Sequence, residues 1–130
     1  MDKKILFIED EKSLQEVLGE ALKQNDFEVK EALNGQVGLE LAQTFNPDLI
    51  LLDLILPRVN GFEVLEKLKS SEKTKNIPVI ILTNLENNED IQHVLELGAF
   101  DYLVKSNYSL NEIINKVKEA LNSQKIWLKQ

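Results

Sequence analysis

Three acidic residues stand in a row at Glu9, Asp10 and Glu11; a lone aspartate, Asp53, interrupts a run of leucine and isoleucine; Thr83 and Lys105 follow two later apolar runs. Asp53 most needs an explanation. It follows Leu49, Ile50, Leu51 and Leu52 and precedes Leu54, Ile55 and Leu56, and an unpaired carboxylate in such surroundings is costly. Taken singly, the others have ordinary readings: Asp10 as a helix cap, Thr83 as a strand-end residue, Lys105 as a solvated lysine. Taken together around one aspartate they make a site. If Asp53 lies beside Glu9 and Asp10, carboxylates about 4 Å apart repel by about 4 kcal/mol per pair at an effective dielectric of roughly 20. A divalent cation would offset that repulsion, and an all-oxygen set of carboxylates suits magnesium, which keeps several waters and favours carboxylate and phosphate ligands. A carboxylate can also attack phosphorus to give an acyl phosphate, provided that the charge on the equatorial oxygens is neutralised. Magnesium, the Lys105 ammonium and the Thr83 hydroxyl would each meet one of those oxygens, so the residues fit a phosphoacceptor site centred on Asp53.

Positioning these groups falls to five short apolar runs, at 4–8, 27–32, 49–52, 77–82 and 102–104, each followed by a segment of helical apolar spacing. The first, third and fourth runs are nearly continuous in Ile, Leu, Val and Phe, the pattern of strands covered on both faces. Helices are expected over 13–23, 36–45, 61–68, 89–97 and 110–121, with stripes such as Leu14, Val17, Leu18, Ala21 and Leu22, or Val37, Leu39, Leu41 and Ala42, or Ile91, Val94, Leu95 and Leu97. Gly98 is placed as a C-terminal cap. Asn34-Gly35, Asn46-Pro47 and Asn76 before Ile77-Pro78 mark turns. Alternating strand and helix predict an α/β fold in which right-handed crossovers join parallel strands, so the C-terminal ends of all five strands share one edge. Ligands bind along that edge in open sheets of this kind. Glu9, Asp10, Asp53, Thr83 and Lys105 all follow strand ends, so one edge collects them.

At 130 residues the chain has room for one domain. A net charge of −7 repels nucleic acid phosphates, which argues against direct nucleic acid binding. No cysteine is present, so neither disulfides nor thiolate chemistry enter. No signal peptide pattern and no apolar run long enough to span a membrane are present, so a cytoplasmic location is expected. The single histidine, His93, lies on a polar helical segment, and no glycine-rich phosphate loop occurs. Zinc and P-loop chemistry therefore drop out. A flavin carrier is disfavoured too, because Glu9-Asp10-Glu11 would repel a flavin phosphate.

Four segments together resemble the response regulator receiver family, over nearly the whole chain: Ile-Glu-Asp-Glu (8–11), Asp-Leu-Ile-Leu-Leu-Asp-Leu-Ile-Leu-Pro-Arg-Val-Asn-Gly-Phe-Glu (48–63), Pro-Val-Ile-Ile-Leu-Thr (78–83) and Gly-Ala-Phe-Asp-Tyr-Leu-Val-Lys (98–105). The resemblance implies a flavodoxin-like (βα)5 doubly wound sheet of order 2-1-3-4-5, with a receiver domain over 1–122 and a tail or linker start over 123–130. It implies phosphorylation at Asp53, magnesium held by Glu9 or Asp10 together with Asp53 and the backbone carbonyl of Ile55, and phosphoryl contacts from Thr83 and Lys105. Thr83 and Tyr102 would form a switch pair, the ring rotating inward to reshape the face made by the fourth helix, fifth strand and fifth helix. The implied partners are a sensor histidine kinase or phosphotransfer protein and a downstream effector protein; a phosphorylation-dependent dimer is also compatible. Three positions depart from the family pattern. Ser106 stands where a proline, typically in a cis peptide bond, is common, so a trans, looser loop is expected. Asn84 replaces a frequent small residue and is expected to alter the lifetime of the phosphorylated form. Asn60 replaces a common aspartate, with an effect expected only on the turn. In the tail, Trp127 either docks a partner or packs on its own fifth helix.

Overall fold

Alternation along the strands decides the layers. In β1 (Lys4–Ile8), Ile5 and Phe7 point to one side and Leu6 and Ile8 to the other, and all four are fully buried. β3 (Leu49–Leu52) and β4 (Val79–Thr83) divide in the same way. The computed structural model describes residues 2–129, with side chains described as far as Ser123; the tail residue Trp127 lies outside those side chains. α1 (Lys12–Gln24) and α5 (Leu110–Lys129) cover one face through Leu18, Leu22, Ile113, Ile114 and Val117. α2 (Gly35–Thr44), α3 (Gly61–Ser70) and α4 (Asn88–Glu96) cover the other through Ala42, Val64, Leu65, Leu68 and Val94. With β2 (Glu28–Ala32) and β5 (Asp101–Val104) at the edges, the five parallel strands run in the order β2-β1-β3-β4-β5. This is the flavodoxin-like, doubly wound α/β sheet. Among the described residues no helix is long and apolar enough to cross a membrane.

Helix starts follow side-chain chemistry. Asn34, Asn60 and Asn87 each occupy an N-cap and accept from the amide three residues on, at Val37, Glu63 and Asp90. Asn60 thus does the capping work of an aspartate in its turn. Gly98, at φ 108°, follows α4, and its amide returns to the carbonyl of Leu95. Two expectations shift. α5 continues to Lys129 instead of ending near 121, since no glycine or proline interrupts it. Val17, Val37 and Leu95, assigned to buried stripes, are exposed, because the faces of their helices that meet the sheet are taken by Gln15 and Gly19, by Gly38, and by Val94.

Candidate functional site

The C-terminal ends of β1, β3, β4 and β5 bring together Glu9, Asp10, Asp53, Thr83 and Lys105. Glu9 is fully buried and Asp53 nearly so, whereas Asp10 is exposed. One oxygen from each of these three carboxylates lies within 4.8 Å of the others. Asp10 does not cap α1: the N-cap is Glu11, without a side-chain cap bond. Its carboxylate is therefore not spent on the helix.

Lys105 is the counter-charge. Its Nζ donates to Asp53 Oδ2 at 2.9 Å, lies 2.8 Å from Glu9 Oε1 and reaches Glu11 Oε1 at 3.6 Å. The approach to Glu9 is an ion-pair contact. One ammonium among three carboxylates leaves the cluster net negative. Burial pushes the Glu9 carboxyl up to about 7, with Lys105 opposing and the Asp53 charge adding to the rise. Burial by itself would lower Lys105, but the contacts with Glu9 and Asp53 outweigh it and hold the ammonium above its usual range.

The other Asp53 oxygen, Oδ1, accepts from the Ile55 amide at 3.2 Å, so Ile55 lies in the loop directly after the aspartate. Gly61 fixes that loop from behind: a Cβ there would strike the Asp53 carbonyl oxygen and Leu54 Cα, so only glycine lets α3 start this close to β3. Thr83, the last residue of β4, is fully buried, and its Oγ1 has no hydrogen-bond partner among the described residues. A buried hydroxyl without a partner is uncommon, and here it sits at the same strand edge as Asp53. This orphaned donor and the all-oxygen, net-negative carboxylate set fit a site for a divalent cation and a phosphoryl group. Glu11, Val17, Asn84, Lys105 and Ser106 line a cleft of about 450 Å3.

Tyr102, half-buried on β5, donates its hydroxyl to the Leu85 carbonyl at 2.7 Å, and burial pushes its pKa up to about 12. Lys105–Asn107 form a single 3-10 turn, and no cis peptide occurs at Ser106. His93 is exposed and stacks at a tilt on Phe62, with centroids 5.8 Å apart. Reading the sequence missed the Tyr102–Leu85 bond, which spans 17 residues with no local pattern, and the burial of Gln15. A polar residue on the helical stripe of Leu18 and Leu22, one and two turns before them, was the available signal for Gln15.

Comparison with known proteins agrees with this geometry. The family model for the response regulator receiver domain matches residues 5–118. The transcriptional regulatory protein CusR of Escherichia coli is 42% identical over 118 residues, covering 91% of this chain and 51% of CusR. The DNA-binding dual master transcriptional regulator RpaA of Synechocystis is 36% identical over 118 residues, covering 91% of this chain and 48% of RpaA. The chain thus spans about half the length of these relatives. The CheY-like receiver domain of Methanospirillum hungatei superposes with a TM-score of 0.89 at 26% identity, covering 96% of this chain and 98% of that one. Motifs, sheet order and acidic edge converge: the chain belongs to the response regulator receiver domain family of two-component signalling.

Proposed function

We propose that Asp53 is the phosphoacceptor of this receiver domain, taking a phosphoryl group from a sensor histidine kinase or phosphotransfer protein with Mg2+. The observation that carries the reading is one buried aspartate at a strand end, paired with Lys105 at 2.9 Å beside the Glu9–Asp10 carboxylates and the orphaned Thr83 hydroxyl. An Asp53 oxygen forms a bond to phosphorus as the bond from phosphorus to the donor's imidazole nitrogen breaks, its electron pair leaving with the imidazole. Glu9 or Asp10, Asp53 and the backbone carbonyl of Ile55 would hold the magnesium, which when bound neutralises charge on the phosphoryl oxygens. Lys105 and the Thr83 hydroxyl supply the remaining contacts to those oxygens.

Output passes through the α4-β5-α5 face to a downstream effector protein; α4 offers the exposed Leu95, and Thr83 with Tyr102 forms the switch pair. Residues 1–122 make up the receiver unit and 123–130 a tail or linker start. A cytoplasmic location goes with this role, as does the absence of direct DNA contact by a domain of charge −7.

Intact mass after incubation with magnesium and acetyl phosphate tests the assignment. A single hydroxylamine-labile phosphoryl adduct is expected on the wild type and none on Asp53→Asn. If the wild type gains no adduct and traps no beryllofluoride, the domain acts through its binding surface alone.

A further inference from the structure

Gln15 is the one polar side chain among the buried residues of α1, 6% exposed beside Leu18, Gly19 and Leu22. Its amide nitrogen donates to the Glu9 carbonyl at 3.1 Å and to the Ala32 carbonyl at 3.0 Å. Ala32 also accepts from the Glu9 amide at 2.9 Å. One amide therefore ties the end of β2 to the residue just past β1, on both sides of the Glu9 peptide. An apolar residue of similar length would fill the same volume without the cost of burying an amide. What the amide adds is a fixed Glu9 carbonyl, and hence a fixed chain path into Asp10. The usual device is missing, because Glu11 at the N-cap of α1 makes no side-chain cap bond. The turn is also held by the Glu11 amide donating to Glu9 Oε2 at 3.1 Å and by Lys105 near the Glu9 and Glu11 carboxylates, contacts that use carboxylates of the site itself.

We infer that Gln15 is a positioning residue: by holding the Glu9 carbonyl it orients the Glu9–Asp10 turn and sets how tightly the site holds a divalent cation. The inference rests on the magnesium reading above. Groups that orient ligands without touching the metal commonly govern affinity, and their loss weakens binding roughly 10- to 100-fold.

The test uses the full chain, 15N-labelled and titrated with MgCl2, with the amide shifts of Asp10 and Asp53 as readout. Wild type, Gln15→Met and Ile114→Val are compared; the last loosens the same core layer without touching the turn. Saturable wild-type binding is expected, with Kd roughly tenfold or more weaker in Gln15→Met and unchanged in Ile114→Val. Should Gln15→Met not fold, Gln15→Asn, too short to span both carbonyls, is read in the same way. Equal affinities in the wild type and the folded Gln15 variant overturn the positioning role while leaving the magnesium reading intact. Absence of saturable shifts in the wild type overturns both.

Discussion

Glu9 titrates in the wrong range for an ordinary glutamate, and that has a measurable consequence for stability. Folded, it takes up a proton near pH 7; its ordinary value is 4.5. Between the two the folded state holds more protons than the unfolded state, so the contribution of Glu9 to stability falls as pH rises through that window. For the metal-free protein this amounts to about 1 kcal/mol lost between pH 6 and pH 8, at 1.36 kcal/mol per pKa unit. Urea unfolding in EDTA at both pH values reads it directly. Glu9→Gln should remove most of the difference; the same slope in wild type and variant would show that another group is responsible. Asn84 offers a second residue-level test. It is exposed at the rim of the cleft beside Lys105, where its amide can crowd an approaching water or order it. Replacing it with alanine should change the lifetime of the phosphorylated form several-fold, corresponding to about 1 kcal/mol in the barrier. An unchanged decay of the mass adduct would remove Asn84 from the account.

At the scale of elements, the sequence declares the strands better than it declares the helix faces. Continuous apolar runs located β1, β3 and β4 to within two residues, because a strand buried on both sides leaves no polar position to confuse the reading. Parallel topology then placed Glu9, Asp10, Asp53, Thr83 and Lys105 on one edge with no knowledge of side-chain geometry. Helix burial was less legible. Val17 and Val37 fit an apolar period yet face water, while Gly19 and Gly38 are buried against the sheet. Periodicity records hydrophobicity; close approach of a helix to a sheet depends on small residues, which carry no hydrophobic signal. The distinction is testable with two alanines. At Gly61 a Cβ meets backbone of Asp53 and Leu54, whereas at Gly19 its nearest contact is the carboxylate end of the flexible Glu31 side chain. Gly61→Ala is expected to cost about 2 kcal/mol through overpacking, while Gly19→Ala, inside a helix, should be neutral or gain up to about 1 kcal/mol. Chemical denaturation of both variants decides it; equal midpoints would mean that the start of α3 yields easily.

Across the whole molecule, the question is how far one new contact can move the equilibrium between two states. One contact that a phosphoryl group would add is to Thr83, whose hydroxyl is buried and without a hydrogen-bond partner among the described residues. A hydrogen bond to a charged group is worth about 1.5–3 kcal/mol, whereas carrying a population from roughly 1:99 to 99:1 requires about 5.5 kcal/mol. The Thr83 contact alone thus brings a strongly inactive population to near parity and no further. Saturating beryllofluoride with magnesium should leave the amides of α4 and β5 at positions between two limits, or in two sets of peaks, and Thr83→Ala should collapse the shift toward the unmodified state. The rest of the switching energy must come from whatever binds the α4-β5-α5 face, since a partner that prefers one state shifts the equilibrium by its differential affinity. A spectrum fully converted by beryllofluoride alone would refute this, and would mean that the α4 face, where Val94 is the one fully buried residue of its helix, starts close to balance between its two arrangements.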